Sequence, residues 1–524
     1  MRFPFLSALA AAALVAIVPY AAAAEILHLG NGGEPETLDP HRYNLRLEET
    51  ILNDLFLGLT TFDAEARISP GAAESWQTSE DGLTWTFRLR AGLRWSDGVP
   101  LTAHDFVYSF RRLLDPHTAA SLAHFMYPLR NAQAVNTGEL PVEALGVRAI
   151  DDRTLELVLE APFPFLHERL MYPTAFPLPR HVIERTNDQW VKPGNMVSNG
   201  AFVLEDWRPQ AFVILRKNTS FHDASAVSLD GVVYYPTADA NTAYNRYRAG
   251  ELHAVGAFPA GELPWVRQNL ADQLRMSPLL SIMYLVFNVE RRPFDDVRVR
   301  EALALAIDRD TLTEKVLRTG EIPIGGFVPA MVSDYEPVAA PEHASSREAR
   351  LERARGLLAE SGFGTDNPLR VTLRYISGAD AKKVHVSIAA MWKPLGVVTR
   401  LHHAELKVHF ADLRQGNFEV AQAGWFGENN PEHYLELLAS GTGNVNYGRF
   451  HDAAFDELMH EAGQLADRSR RMAVLREAEV RALPLYPVIP LYSVMIRNLV
   501  DPRITGWKEN SRNVHPARFL GWNG

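Results

Sequence analysis

The sequence contains no cysteine. That excludes disulfides, thiolate metal ligands and a lipid-modified N-terminal cysteine, and it leaves stability to hydrophobic cores. A chain of 524 residues is long enough to build two or three of them. After the N-terminus no apolar stretch approaches the roughly 18 residues that span a bilayer, so a soluble mature chain is expected. Basic residues are outnumbered, 53 against 63 acidic for a net charge of −10, and no basic run occurs. This argues against a sequence-independent nucleic-acid surface. Catalytic signatures are missing as well: there is no H-E-x-x-H, no G-x-S-x-G, no phosphate loop and no dinucleotide fingerprint. "SGTGNVNYG", Ser440 to Gly448, is glycine-rich but wrongly spaced for nucleotide binding, and reads as a surface turn.

The N-terminus itself is legible. "MRFPFLSALAAAALVAIVPYAAAAE" carries one cation at Arg2, an apolar stretch to about Val18 and small residues from Ala21 to Ala24. This is the pattern of a secretory signal peptide cut near Ala24. Export without a lipid anchor points to a compartment that retains soluble proteins, the bacterial periplasm.

Periodicity then outlines the elements. "LTWTFRLRAG" alternates through Leu83, Trp85, Phe87 and Leu89 and predicts a strand. After the Asp97-Gly98 turn and a Thr102 cap, a helix is expected from about Ala103 to Leu114, with Phe106, Phe110 and Leu113 on one face and a stop at Asp115-Pro116. "RTLELVLEAP" predicts another strand through Leu155, Leu157 and Leu159. Beyond residue 290 strands and helices alternate. "RRPFDDVRVREALALAIDRDTLTEKVL" reads as one long helical pattern with Asp295 and Asp296 at its positive end. "REARLERARGLLAESGF" reads as a helix stopped by Gly362, "LRVTLRYISG" as a strand, "KKVHVSIAAMWKPLG" as a helix and "FEVAQAGW" as a strand. Such alternation indicates an α/β lobe, in which ligands bind beyond the carboxyl ends of strands. "FEVAQAGWFGENNPEHYLELL", Phe418 to Leu438, places a tryptophan, a glutamate and two asparagines at such an end.

"HHAELKVH" brings His402, His403 and His409 close in sequence, but their spacing matches no helical or zinc-finger ligand pattern. Nothing singles out a carboxylate pair for glycoside hydrolysis. No metal and no cofactor is expected.

Several stretches together resemble one family, the periplasmic oligopeptide-binding proteins among the family 5 extracellular solute-binding proteins of ABC importers. They are "ETLDPHR", "WSDGVPLTAHDFVYSFRRLLDP", "SNGAFVLEDW", "FNVERRPFDDVRVREALALAIDRD", "AGWFGENNP" and "LPLYPVIPLYSV". They keep their order over nearly the whole mature chain. The resemblance implies an α/β fold of the periplasmic-binding-protein type, two main α/β lobes joined by a hinge plus an inserted third lobe. Lobe I would comprise residues 25–56, 179–281 and 497–524, lobe II residues 57–178, and lobe III residues 282–496. A peptide or peptide-like solute would be captured by lobe closure and passed to an ABC transporter permease in the inner membrane, by a monomer without catalysis of its own.

The same resemblance assigns candidate ligand-binding residues. Glu428 stands three after Trp425, where the family places the aspartate that receives a peptide's α-amino group, although this loop is one residue shorter and carries glutamate. Gly424, Trp425, Phe426, Tyr108 and Tyr284 would wall the cleft, and Asn44 and Arg46 would approach it from the opposite lobe. The departures concern the other end of the ligand. Where the family has cations or a histidine for the peptide carboxylate, this chain has Gln422, Leu413 beside Arg414, Leu317 and Ala381. Arg46, where a small apolar residue is usual, is then a candidate anion contact, unless the ligand is not a standard tri- to pentapeptide. Two rival readings remain at this level: the same fold binding a metal chelate or small amine conjugate, or a secreted hydrolase.

Overall fold

A computed structural model describes residues 24–339, 345–442 and 445–523. All but the last residue of the expected signal segment lies outside these residues, as does part of the expected turn at Ser440 to Gly448. No helix of the described chain is long and apolar enough to cross a membrane.

Three sheets organise the molecule. The first has seven strands, in the order Leu274–Pro278, Met495–Val500, Ala254–Val255, Ile26–Gly30, Gly231–Tyr235, Phe212–Lys217 and Phe202–Arg208. Its centre is parallel, Ile26–Gly30 lying between Gly231–Tyr235 and Ala254–Val255. The second has six strands, in the order Ile322–Pro323, Val488–Ser493, Ser281–Phe287, Val420–Phe426, Arg370–Ile376 and Val398–Ala404. Here Arg370–Ile376 runs parallel to both of its neighbours, as helical crossovers require. The third sheet is antiparallel, in the order Ala73–Thr78, Thr84–Leu89, Thr154–Val158 and Val147–Asp151.

The chain passes between the first two sheets at two adjacent points. Pro278 pairs with Met495 in the first sheet, and Met283 with Tyr492 in the second. Between them the N–H of Leu279 donates to the Val494 carbonyl at 2.9 Å. The two crossing segments therefore form one continuous narrow ladder.

Most expected elements are present for the reasons their residues suggest. Helix Ala103–Leu114 begins where the Thr102 N–H donates to the Asp105 carboxylate at 2.8 Å, and it buries Phe106, Phe110 and Leu113. Gly362 follows helix Arg347–Glu360 with a φ of +83°, a left-handed position that glycine adopts without penalty. Asp296 caps its helix by accepting from the N–H of Arg298 at 2.9 Å.

One expectation is corrected. The pattern from Arg291 to Leu317 is not a single helix but helix Val297–Leu305 followed by a wider turn at Thr311–Leu317. Asp308 causes the break, because its carboxylate accepts from both the N–H and the hydroxyl of Thr311 at 2.9 Å and starts a new element.

Candidate functional site

The loop after strand Val420–Phe426 is rigidly built. Gly427 donates to the Leu280 carbonyl at 2.9 Å, and a Cβ there would lie 2.3 Å from the Tyr434 ring, so only glycine fits. The N–H of Glu428 donates to His433 Nδ1 at 2.9 Å. Burial lowers the pKa of His433, which keeps that nitrogen a neutral acceptor. The His433 ring meets Trp425 edge-on at 5.3 Å, and Asn429 Oδ1 accepts from the N–H of Ser333 at 2.7 Å.

The facing wall is the start of helix Arg46–Leu55. One carboxylate organises it: Glu48, only 1% exposed, accepts from the N–H groups of Glu36, Thr37, Asn44 and Leu45 at 2.8–3.2 Å. This leaves Asn44, Arg46 and Glu49 to project into the space opposite Glu428. The C-terminal segment Ser511–Val514 completes the wall. It is folded around Asn510, whose side-chain oxygen accepts from the N–H of Arg512 at 3.1 Å and of Val514 at 3.2 Å. Arg512 in turn donates to Tyr172 Oη at 3.0 Å and to Glu168 at 2.9 Å.

Between these walls lies a cavity of about 340 Å³, to which all three sheet units contribute. Glu428 lines it and is 4% exposed, yet neither carboxylate oxygen has a hydrogen-bond partner among the described residues. The nearest cation is Arg169, with Nε 3.7 Å from Oε2. Burial raises the pKa of Glu49 against the opposing influence of Arg46 and Arg512. Burial likewise opposes the charge on Arg512, but Tyr172, Glu168 and Glu428 outweigh it and its pKa is raised. Arg46 is exposed and makes no side-chain hydrogen bond among the described residues. It also lines a second cavity of about 350 Å³ at the carboxyl ends of strands Ile26–Gly30, Gly231–Tyr235 and Ala254–Val255.

Of the residues singled out in the sequence, Glu428, Phe426, Asn44 and Arg46 come together on this cavity, and the others do not line it. Trp425 supports the loop through His433, and Gly424 packs on Met283. Tyr284 is in the core, edge-on to Phe327 at 5.2 Å. Tyr108 lies beside Arg180 on a separate surface hollow. Gln422 is buried inside the second sheet, where its side chain accepts from the N–H of Ile376 at 3.1 Å. Leu413 is fully buried. The three histidines diverge: His402 and His403 are exposed neighbours on one strand, whereas His409 is buried and bonded to the Gln422 carbonyl at 2.8 Å. Among the described residues no three His, Asp or Glu side chains are grouped so as to hold a metal ion. Arg169, Tyr172 and Arg512 were not marked by any sequence pattern, because only the fold brings them to Glu428, and Glu48 acts through the loop it organises.

A chain with a mixed sheet on either side of two adjacent crossings, and a cleft lined by charged groups between them, is the architecture of a solute receptor. The sequence profile of the bacterial extracellular solute-binding proteins, family 5 (middle), matches residues 67–446, and the chain belongs to that family. It is 35% identical over 482 residues, 91% of this chain and 88% of the relative, to the periplasmic oligopeptide-binding protein OppA of Salmonella typhimurium. It is 36% identical over 487 residues, 92% and 90% of the two chains, to the probable deoxycholate-binding periplasmic protein YgiS of Escherichia coli. Among solved structures, the unliganded open form of the periplasmic murein tripeptide-binding protein MppA matches with a TM-score of 0.85 at 33% identity, covering 95% of this chain and 97% of that one.

Proposed function

We propose that the protein captures a short peptide or peptide-like solute in the periplasm by closing its lobes, and delivers it to an ABC transporter permease. The observation that carries this reading is Glu428: a buried carboxylate, facing a cavity, with neither oxygen hydrogen-bonded. A buried polar group in that state costs free energy until a donor arrives, and an α-ammonium is a donor of the right charge. Across the same cavity Arg46 is a cation free to meet the carboxylate end of such a ligand. The relatives' names, oligopeptide-binding and murein tripeptide-binding, agree with a ligand of this kind.

In this reading lobe I (25–56, 179–281, 497–524), lobe II (57–178) and lobe III (282–496) follow the three sheets, and the paired crossings at 278–283 and 492–495 form the hinge. A ligand touching Glu428 on one lobe and Arg46 on another binds the closed state better than the open one, and that difference drives closure. The protein acts as a monomer, after removal of a signal peptide near Ala24, and performs no catalysis.

The test is calorimetric titration with tripeptides, after native mass spectrometry has identified any cargo that co-purifies. Glu428→Ala is expected to weaken binding by about tenfold or more, since a charge-assisted hydrogen bond contributes about 1.5–3 kcal/mol. Unchanged affinity would remove the assignment.

A further inference from the structure

We infer that Arg169 is a specificity-determining residue, a built-in counter-cation of Glu428 that makes the cleft favour zwitterionic ligands of zero net charge over ligands that bring only an amine. The inference rests on the reading of Glu428 as the amine acceptor. Arg169 ends the short helix Leu166–Arg169, in a part of the chain distant from the Glu428 loop. Its guanidinium stacks over Phe163 at 4.7 Å and over Phe125 at 5.9 Å, and it donates to the Phe125 carbonyl at 3.1 Å. Thus held, it places Nε 3.7 Å from Glu428 Oε2.

That separation is informative. Charge-assisted pairs in full contact sit at about 2.7–2.9 Å. Here neither Nε nor either carboxylate oxygen is hydrogen-bonded among the described residues. Arg169 therefore offsets the charge of Glu428 while leaving its lone pairs open to another donor. It is not among the residues that line the cavity, so it reaches the carboxylate from within the wall and need not move when a ligand enters.

Neighbouring carboxylates are also faced by arginines. Glu168, 1% exposed, is paired with Arg512 at 2.9 Å and with Arg468 at 3.4 Å, Glu49 lies under the influence of Arg46 and Arg512, and Glu436, its pKa pushed up to about 7 by burial, feels both Arg169 and Glu428. A lone ammonium added here would leave one uncompensated buried charge, which is costly. A ligand that also brings a carboxylate for Arg46 leaves none. Without Arg169, Glu428 would be in excess and a net cation would be welcome.

The experiment compares three forms of trialanine, the free acid, the C-terminal amide and the N-acetylated acid, by calorimetry at pH 8 on the full mature chain. Arg169→Met is expected to tighten the amide by about fivefold or more, while the N-acetylated acid, which brings no cation, gains no affinity. Arg169→Lys, which keeps the charge, is expected to bind as the parent does, and melting curves confirm that both variants are folded. An equal change for all three ligands would mean a merely structural residue and overturn the inference. A loss confined to ligands with a free carboxylate would assign Arg169 to the ligand's acid, and would overturn it too. Glu428→Gln separates the two levels. If it abolishes the preference for a free amine while Arg169→Met changes nothing, this inference alone fails. If it changes nothing, or if no form of trialanine and no member of a short-peptide library binds the parent protein, the peptide reading fails and the inference with it.

Discussion

Ser281 and Ser493, both without solvent exposure, hold the two chain crossings together. The Ser493 hydroxyl donates to the Ser281 carbonyl at 2.7 Å, and the Ser281 hydroxyl accepts from the N–H of Val494 at 3.0 Å. These bonds lie at the place where the ladder passes from one sheet to the other. In the proposed hinge, backbone polar groups must stay satisfied while dihedrals change, and a serine hydroxyl can re-aim its O–H by rotation about one torsion to follow that movement.

Ser493→Ala removes one of these bonds and leaves a buried carbonyl without its partner. Stability should fall by about 1–3 kcal/mol. Urea unfolding followed by fluorescence measures this, and an unchanged midpoint would show that the hydroxyl contributes nothing to the crossing.

Gly424, in strand Val420–Phe426, and Gly427, just after it, should respond differently to alanine. At Gly424 the new Cβ meets the sulfur of Met283 at 2.7 Å, the far end of a flexible side chain that can turn away. At Gly427 it meets the Tyr434 ring at 2.3 Å, and that ring is fully buried with no room to retreat. Gly427→Ala should therefore displace the Glu428 loop and cost about tenfold or more in peptide affinity, whereas Gly424→Ala stays within about threefold. Similar affinities for the two variants would contradict the rigid-loop account.

How much of this could be read from the sequence depends on the distance over which each cause acts. Helix Ala103–Leu114 was legible because its cap, its apolar stripe and its stop lie within fourteen or so residues of one another. The break at Asp308 was not, since the same acid serves equally well inside a solvated helix and as the start of a new turn. Glu428 was singled out through its place after Trp425, and it lines the cavity. Its surroundings were not: Arg169 stands about 260 residues before Glu428 and Arg512 more than 80 after it, and no local pattern marks them. Tyr284 shows the opposite case. Its strand, "SIMYLVF", is apolar on both faces, and that continuity was the sign of a core position rather than of a cleft wall. Gln422 departs from the family's cation, and the structure places its side chain on a backbone N–H inside the sheet. In the proposed reading the far end of the ligand is met from elsewhere.

Arg46 is the residue that the cavity offers for that end. Arg46→Ala should weaken a free-acid tripeptide by about tenfold and leave its C-terminal amide within about twofold, because only the acid presents a charge to the guanidinium. Titration of both peptides against parent and variant decides it. An equal loss for acid and amide would reduce Arg46 to a packing role at the mouth of the two cavities.

His41 sets a limit on acid stability. It is fully buried, with Nε2 3.1 Å from Ser109 Oγ and Nδ1 2.9 Å from Arg112, which is itself paired with Asp39 at 2.7 Å. An arginine on one ring nitrogen requires that nitrogen to be the acceptor, so the folded protein holds the ring neutral. Burial, reinforced by Arg112 and opposed by Asp39, lowers its pKa to about 3. The unfolded value is near 6.5, so the folded pKa is depressed and protonation favours the unfolded chain. The contribution of neutral His41 is complete above pH 6.5 and is lost as pH falls from there towards 3, at about 1.4 kcal/mol per pH unit. His167, His385 and His515, lowered to about 4, 4 and 3 by burial, add to the same trend. His41→Gln keeps an acceptor for Arg112 and cannot take up a proton. Its unfolding free energy, measured by urea at pH 7, 6 and 5, should therefore fall less steeply than the parent's, by up to about one proton's worth per unit below pH 6. Parallel curves for parent and variant would mean that His41 is already protonated in the folded state, and the hydrogen bonds at its ring would need to be reassigned.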